Sequence, residues 1–428
     1  MRGTWFVLAV LAGCGGDPEV VSNFEIVGHS DLGARGMNSA LAIAGDTIYV
    51  GSRVDNKPIV LLDTATLAVV GEIPGSIGMS SRELRAVDNT LVVLNLQCSP
   101  ELHGCTQIGR KVENLELYDI TNRRAPLLVA TYPVTTSSQI FQRGPHEFYL
   151  WRDDSRTLVY LAAPGAAPTL EVIDIGNPAA PTLVVGWDPR MAGLKPSGQD
   201  DILHSVSLSG DGTRVYLSHQ LSGLLVADVG SLPTVSLLTP PASAYDWAPP
   251  GAMGPHSAVE IPGTHVLVVT EEVYPMPFGA GCPWGHLRTV DASDPAAPKL
   301  LAEVKIAEND PALCATAAER TAFTAHNATV TSEVALVTWY AGGIVAIDVR
   351  NPKKPKIVAE LRPEPLAAVA VEDPGLGGNP IEMWSYPVIK DGLIYVVDVR
   401  NGLYVLRYTG VGENTIANEA FLEGNSNL

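Results

Sequence analysis

Four histidines recur along the chain at long and similar spacings, and they are the residues best suited to chemistry. They lie 58, 52 and 70 residues apart and are four of only nine histidines in the sequence. Two of them begin strand-like segments, His204-Ser-Val-Ser-Leu and His256-Ser-Ala-Val-Glu-Ile. Imidazoles that a repeating fold brings together suit a soft or borderline divalent metal, copper or zinc here. The four predicted metal ligands are His146, His204, His256 and His326.

Other residues occupy the equivalent position in the remaining repeats. Asn38, Arg82 and Trp384 align with the four histidines, and we expect them to contribute to ligand binding. Several carboxylates near the histidines are candidate ligands or partners of the ligands; they are Glu147, Asp200, Asp201, Glu271 and Glu272. Three interpretations remain open: a shared transition metal, an anionic or polar small ligand held by Arg82 and the histidines, and histidines that only bond to neighbouring backbone.

The composition limits the kinds of protein that could carry this site. The chain has 428 residues, with 28 Lys or Arg against 46 Asp or Glu and a net charge of −18. This charge excludes a nucleic-acid binder that works through a basic face. A hydrophobic fraction of 46% is too high for disorder, and 40 Gly with 33 Pro indicate many short elements joined by turns. The composition therefore predicts a folded, all-β chain.

One sequence pattern recurs through the chain and indicates the architecture. An apolar strand ends in Asp, a turn with Asn-Pro or Asp-Pro and a second Pro follows, and a short apolar strand comes next. Copies begin at Val172, Thr289 and Ala346, and the copy at Leu117 has Arg in place of the first Pro. This pattern resembles the LVIVD-repeat family of secreted bacterial β-propellers. The resemblance spans nearly the whole mature chain and implies a propeller, but says little about activity.

Two further strands precede most copies, so each unit is predicted to have four antiparallel strands, A to D. Seven such units fit the chain, and strand A is the innermost strand of each. The last unit lacks one strand, and Phe24-Glu-Ile-Val27 is a strand without a unit, so pairing of the two would close the ring. The prediction is a seven-bladed β-propeller over residues 23–412, followed by a flexible tail over 413–428.

The two faces of this predicted disc differ in the length of their connections. The A–B and C–D connections share one face and are short; we call it the short-turn face. The B–C and D–A connections share the opposite face and include all the long segments, and we call it the long-loop face. Long loops are typical of binding sites. The first residue of each A strand, including the four histidines, is therefore expected at the channel mouth on the long-loop face, whereas His103 is expected to be exposed to solvent.

The five cysteines of the sequence suggest a lipid-attachment site and two disulfides. The string Leu11-Ala12-Gly13-Cys14 follows an apolar segment and resembles the lipobox of bacterial lipoproteins. The resemblance implies removal of residues 1–13, lipid attachment at Cys14, a tether over 14–22, and a place in the bacterial envelope, at the outer membrane or cell surface. Four cysteines remain, with three possible pairings. Proximity in the sequence favours two disulfides, Cys98–Cys105 and Cys282–Cys314.

Two classes of function follow from these observations. The chain has no Gly-x-Ser-x-Gly, Walker, Gly-x-Gly-x-x-Gly or His-Glu-x-x-His motif. This favours a monomeric, non-catalytic binding module whose long-loop face takes a protein, a peptide or a small polar ligand. The alternative is a copper or zinc protein with oxidoreductase activity. It draws on a fainter resemblance to the selenium-binding proteins, including the methanethiol oxidases, whose inner-strand histidines hold copper but whose longer motifs this chain does not match.

Overall fold

The computed structural model describes residues 22–106, 112–134, 145–163, 168–195, 202–240 and 254–428. β1 (Phe24–Ser30) is followed by the strands of the first two units. Unit 1 consists of β2 (Asn38–Ala44), β3 (Thr47–Ser52), β4 (Ile59–Asp63) and β5 (Val69–Ile73). Unit 2 consists of β6 (Met79–Val87), β7 (Thr90–Gln97), β8 (Asn114–Asp119) and β9 (Leu127–Pro133), with the short helix α1 (Pro100–His103) between β7 and β8.

Five further units follow in chain order. Unit 3 consists of β10 (Glu147–Arg152), β11 (Thr157–Ala162), β12 (Leu170–Asp174) and β13 (Thr182–Trp187). Unit 4 consists of β14 (Leu203–Leu208), β15 (Arg214–His219), β16 (Gly223–Ser231) and β17 (Thr234–Leu237). Unit 5 consists of β18 (Ser257–Glu260), β19 (Val266–Thr270), β20 (Leu287–Asp291) and β21 (Lys299–Val304), and helix α2 (Pro311–Cys314) comes after it. Unit 6 consists of β22 (Ala328–Val330), β23 (Val334–Thr338), β24 (Ile344–Asp348) and β25 (Lys356–Leu361). Unit 7 contains β26 (Val388–Lys390), β27 (Leu393–Asp398) and β28 (Gly402–Tyr408).

The first strand of the chain completes the last unit. β1 pairs antiparallel with β28 from Phe24 opposite Tyr408 to Ser30 opposite Leu403. Within each unit, consecutive strands pair antiparallel, and neighbouring units contact each other through their inner strands, so that β2 touches β6 of unit 2 and β27 of unit 7. The units therefore form a closed ring, and the closing pair lies where the sequence predicts it.

The hydrophobic core lies between neighbouring units. One cluster joins Tyr160 and Val172 of unit 3 to Leu217 and Leu225 of unit 4. Similar clusters join units 5 and 6, and units 6 and 7. Successive side chains of a strand point to opposite faces of its sheet, and strands such as β19 and β23 are buried along their whole length and almost entirely apolar, so the sheets pack on both sides. Each unit is thus held by its neighbours, which fixes the positions of the innermost strands.

The recurring Asp of the sequence pattern has a structural role at the end of each C strand. The Asp174 carboxylate accepts the backbone N–H of Gly176 at 2.8 Å, and the Asn177 side chain accepts the N–H of Ala179 at 3.2 Å. Asp291 bonds in the same way to the N–H of Ser293, at 3.0 Å. Side chains of Asp and Asn that accept the N–H two residues later stabilise tight turns. The repeat therefore encodes the tight C–D turns of the short-turn face.

The last residues differ from the expected flexible tail. Helix α3 (Glu413–Ala417) leads to β29 (Phe421–Glu423), which pairs with β26 on the channel side of unit 7. The chain then crosses to unit 3, where the N–H of Leu150 donates to the Asn425 carbonyl at 3.0 Å. Glu423, Asn425 and Ser426 are buried. We name residues 421–428 the channel plug, because they span the channel inside the ring. The polar composition suggested disorder, but the apolar pair Phe421-Leu422 and the unpaired edge of β26 favour strand pairing.

Over the residues described, no helix is both long enough and apolar enough to span a membrane.

Candidate functional site

The four histidines lie next to one another around the mouth of the channel, and we call them the histidine ring. The centroids of His146 and His204 are 4.4 Å apart, those of His204 and His256 4.1 Å, and those of His256 and His326 4.3 Å. The Trp384 indole continues the series, 5.0 Å from His326. This contact follows from equivalent positions on consecutive innermost strands. The sequence-based alignment of the strands therefore has the correct register at these five residues.

The histidine ring lines a central cavity of about 280 Å³. Arg82 and Trp384 also line it, as do Leu96, Leu102, Ile202 and Phe278 from the loops and loop ends on the same side. Asn38 does not line this cavity. Its side-chain amide accepts a hydrogen bond from Arg35 at 2.7 Å and donates to the Val399 carbonyl at 3.1 Å. Asn38 thus joins unit 1 to unit 7, and the structure does not place it beside the other six predicted residues.

The imidazoles of the histidine ring are held in the neutral form. Burial lowers the pKa of His256 to about 3. Burial, reinforced by the neighbouring imidazoles, lowers the pKa values of His146, His204 and His326 well below the usual value. A charged imidazole inside a low-dielectric cavity is costly, and a second one beside it adds repulsion. The ring therefore offers lone pairs and N–H groups, and adds no positive charge.

The four histidines do not converge on a single point. Among the described residues, a compact group of ligand atoms is formed by His204, His256 and Glu272, whose atoms lie within 4.8 Å of one another. Glu272 is 3.5 Å from the Nε2 atoms of both His256 and His326 and accepts a hydrogen bond from the Tyr340 hydroxyl. His146 is outside this group. Two of the four predicted histidines thus share a compact group with one carboxylate, and metal binding by the four histidines stays a prediction.

Arg82 supplies the positive charge of the cavity. Its side chain is 7% exposed, and its guanidinium lies 5.6 Å from the centroid of the Trp384 ring. Nη1 of Arg82 is 2.7 Å from Nε2 of His103. Among the described residues, no carboxylate lies within ion-pair distance of this guanidinium, although Arg53, two tyrosines and one carboxylate, Glu83, act on it from farther away. The prediction that His103 is exposed is wrong, because helix α1 turns the imidazole onto Arg82.

Carboxylates and one arginine lie farther into the channel than the histidine ring. Arg85 is buried, and its guanidinium is 3.1 Å from the Glu83 carboxylate and 3.9 Å from that of Glu423 in the channel plug. Burial, followed by the nearby Glu83, raises the pKa of Glu147 to about 8, so Glu147 is mainly protonated at neutral pH. At this level the Arg85 guanidinium thus lies beside two carboxylates, whereas Arg82 lines the central cavity without a carboxylate at ion-pair distance among the described residues.

Known protein structures share the architecture of this chain. The LVIVD repeat family matches residues 166–188. The β-propeller domain of Cps50 (Swd1) from Myceliophteria thermophila is 12% identical, with 90% of this chain and 100% of that chain covered at a TM-score of 0.53. Sqt1 from Chaetomium thermophilum, bound to the N-terminus of the ribosomal protein L10, is 12% identical, with 90% and 99% covered at a TM-score of 0.54. The chain is a β-propeller with an LVIVD repeat. No curated protein matches it.

At 12% identity these structures show the fold alone, and the chemistry of the central cavity follows from the residues of this chain. Both predicted cysteine pairs lie at bonding distance, with S–S separations of 2.06 Å for Cys98 and Cys105 and 2.01 Å for Cys282 and Cys314. The first pair braces the loop that carries His103. The second ties the loop over residues 271–286 to helix α2.

Asn309 joins these long loops of the propeller to one another. Its side-chain amide donates to the carbonyls of Trp284, Gly285 and Phe323, at 3.3, 3.2 and 3.2 Å, and accepts the N–H of Ile306 at 3.0 Å. The residue is buried. One side chain thus fixes three backbone segments on the long-loop face, which makes the wall of the central cavity a preformed structure.

Several residues near the cavity have no signal in the sequence. Arg53 is fully buried at the end of β3, 3.6 Å from Asp373, and lies over the Trp384 ring. Tyr274 and Tyr340 complete the network beside Glu272. They belong to B–C connections, whose paths the strand pattern does not determine. Three candidate residues, Cys14, Asp200 and Asp201, lie outside the described residues, as do parts of the long connections.

Proposed function

We propose that this propeller is a binding module whose long-loop face takes a ligand into the central cavity. The observation that carries the proposal is the cavity itself, where the buried Arg82 has no ion-pair partner among the described residues and lies beside an indole and four neutral imidazoles. Concave sites with apolar walls and a few polar groups are typical of ligand binding. The braced long loops lie on this face, whereas the A–B and C–D connections of the opposite face are short turns, apart from the segment after β28 that carries helix α3.

The proposed partner is a protein or peptide segment, or a small polar ligand. Sqt1, a propeller of the same fold, is bound to the N-terminus of a ribosomal protein. A propeller can therefore hold one end of another chain, and the central cavity has the dimensions for a chain end or a small molecule. The acidic composition of this chain argues against nucleic acid as the partner.

We further propose that the module acts at the bacterial envelope, attached through a lipid on Cys14. The support is the small-residue string that precedes Cys14. In the producing bacterium, a Cys14→Ser variant should leave the membrane fraction or remain at precursor size. A mature-sized variant that still fractionates with membranes would contradict the lipid anchor.

Photo-crosslinking tests the proposed binding face. A photoreactive amino acid is introduced at Phe278, at the rim of the cavity, and separately at Val411, on the short-turn face. The two side chains are matched in exposure, at 38% and 39%. In cells that produce the protein, crosslinked species should form from position 278 and not from position 411. Crosslinking from 411 alone, or from neither position, would contradict the proposal.

A metal protein is the second candidate, and one observation favours it. Nδ1 of His326 lies 2.6 Å from the Trp384 carbonyl, which only accepts hydrogen bonds, so Nδ1 carries the proton and Nε2 has a lone pair. This lone pair faces the Glu272 carboxylate at 3.5 Å. Both ring nitrogens of His256 are buried without a hydrogen-bond partner among the described residues. Two acceptors that face each other favour a cation between them.

His204, His256 and Glu272 would hold copper or zinc, with His326 beside them, and a bound metal would supply Lewis-acid or, for copper, redox chemistry. Protein purified without a His-tag should then contain close to one metal ion per chain. The metal should be lost in a folded Glu272→Gln variant and retained in Glu271→Gln, since Glu271 is paired with Arg288 at 2.9 Å instead. Substoichiometric metal that neither substitution changes would leave the binding module as the better assignment.

A further inference from the structure

The contact between Arg82 and His103 has more hydrogen-bond donors than acceptors. Nη1 of Arg82 lies 2.7 Å from Nε2 of His103, and the backbone N–H of Ser99 points to Nδ1 of the same ring at 3.2 Å. A guanidinium and a backbone amide only donate. A neutral imidazole accepts at one nitrogen and donates from the other, so one of the two donors must face an N–H group. A protonated imidazole would accept from neither.

The mismatch lies at the wall of the central cavity. Arg82 is 7% exposed, and the His103 ring is half-buried under the loop braced by Cys98 and Cys105. A buried donor without an acceptor costs about 1–3 kcal/mol. The nearby carboxylates are engaged elsewhere, because Glu83 pairs with Arg85 and Glu272 binds the Tyr340 hydroxyl. The described residues therefore leave one of the two donors, the Arg82 guanidinium or the Ser99 N–H, without an acceptor.

An anionic oxygen from a ligand would supply this acceptor. If Nδ1 accepts the Ser99 N–H, the ring presents Nε2–H beside the Arg82 guanidinium, and both groups line the central cavity. The two donors can then bind one anionic group together. A carboxylate matches the fork of a guanidinium and forms short, charge-assisted hydrogen bonds.

The surroundings select the rest of the ligand. Leu96, Leu102, Ile202 and Phe278 line the same cavity, so an apolar body is favoured next to the anionic group. Glu83, Glu147 and Glu272 line it as well, and a doubly charged group such as phosphate would meet only one unpaired cation among them. The volume of about 280 Å³ accommodates a small molecule or the last residue or two of a peptide.

We propose that Arg82 and His103 bind the carboxylate of a monoanionic ligand with an apolar body, either a free monocarboxylic acid or the C-terminus of a peptide. The inference rests on the proposed binding function and specifies its ligand class. Both sources share the same chemistry, so they are separated by experiment.

Calorimetric titration with matched acids and amides tests the assignment. The probes are 4-methylpentanoate and N-acetyl-leucine, each compared with its neutral amide. The acids should bind at least tenfold more tightly than their amides, and Arg82→Met should remove this preference for the acids. Arg320→Met is the control, because Arg320 is an exposed cation on the long-loop face that does not line the cavity. Tighter binding of N-acetyl-leucine than of 4-methylpentanoate would identify a peptide terminus, and the reverse order a free acid.

A spectroscopic measurement keeps the proposal testable if Arg82→Met does not fold. In ¹⁵N NMR spectra of the wild-type protein, a saturating acid should convert His103 to the single tautomer with the proton on Nε2. Equal binding of acids and amides, an unchanged His103 spectrum, or no binding of either acid would overturn the carboxylate assignment. Crosslinking from Phe278 would still be observed in that case, whereas its loss would overturn the binding function itself.

Discussion

The channel plug can be tested by adding one methyl group at Gly424. A Cβ atom at this position would overlap the carbonyl oxygen of Ala328 and lie 2.6 Å from Cδ1 of Tyr386, where ordinary contact begins at 3.4 Å. The backbone oxygen cannot rotate away, so the plug must move by more than about 1 Å. A shift of this size would stretch the bond between the Leu150 N–H and the Asn425 carbonyl, now 3.0 Å long, beyond hydrogen-bonding distance.

The size of the effect follows from overpacking a closed site. Extra methyl groups in well-packed interiors cost about 1–3 kcal/mol. Gly424→Ala should lower the free energy of unfolding by this amount in urea titrations. Amide hydrogen exchange at Leu150 should accelerate about 5- to 150-fold, because the same free energy no longer protects this N–H.

The control is the same substitution at Gly210, on a tight turn of the short-turn face. A Cβ atom there would meet nothing within 4 Å. Gly210→Ala should change stability by less than about 0.5 kcal/mol and leave exchange at Leu150 unchanged. If Gly424→Ala behaved like Gly210→Ala in both measurements, the plug would not occupy the channel, and its packing as described would be refuted.

Three further predictions concern the loops and the histidine ring. Cys282→Ser should destabilise the protein by about 4 kcal/mol in urea titrations, because the disulfide closes a loop with a sequence separation of 32 and so lowers the entropy of the unfolded chain. Equal stability of the wild-type protein under reducing and oxidising conditions would contradict this prediction. Asn309→Ala should cost about 2–4 kcal/mol and raise hydrogen exchange in all three segments that its side chain joins, and a change in only one segment would show that they are not coupled. The third prediction concerns metal-free protein kept in a chelator. Because the histidine ring has lowered pKa values, the unfolded chain binds more protons than the folded chain below about pH 6.5, so stability is lost as the pH falls. His256 alone should account for about 2 kcal/mol of this loss between pH 7.5 and 5. His256→Gln should remove this share, and Ser257→Ala, which does not titrate, should retain it.

The sequence could predict the parts of this molecule that repeat. Because each unit copies the same strand order, the alignment placed His204 next to His256 and Trp384 beside His326 without knowledge of any loop. The Asp and Asn residues of the C–D turns act within three residues of themselves, so the local pattern determines their geometry.

The parts that do not repeat could not be predicted in this way. Glu272 reaches the histidine ring because a B–C connection folds back over the mouth, and no periodic pattern describes such a path. His103 turns inward because a disulfide and the Ser99 side chain, which caps helix α1, set the direction of a four-residue helix. The channel plug depends on pairing between the last residues and two different units, and three-residue strands carry too little periodicity to reveal it.

The channel plug also imposes an order on binding events. Since residues 421–428 span the channel on one side of the histidine ring, a molecule in the central cavity enters and leaves through the mouth on the long-loop face. A protein seated over that mouth would retain a bound small molecule until the protein itself dissociated. Occupancy would then follow a strict sequence, with the small molecule first to arrive and last to leave. Its residence time would report on the lifetime of the outer complex and not on its own affinity.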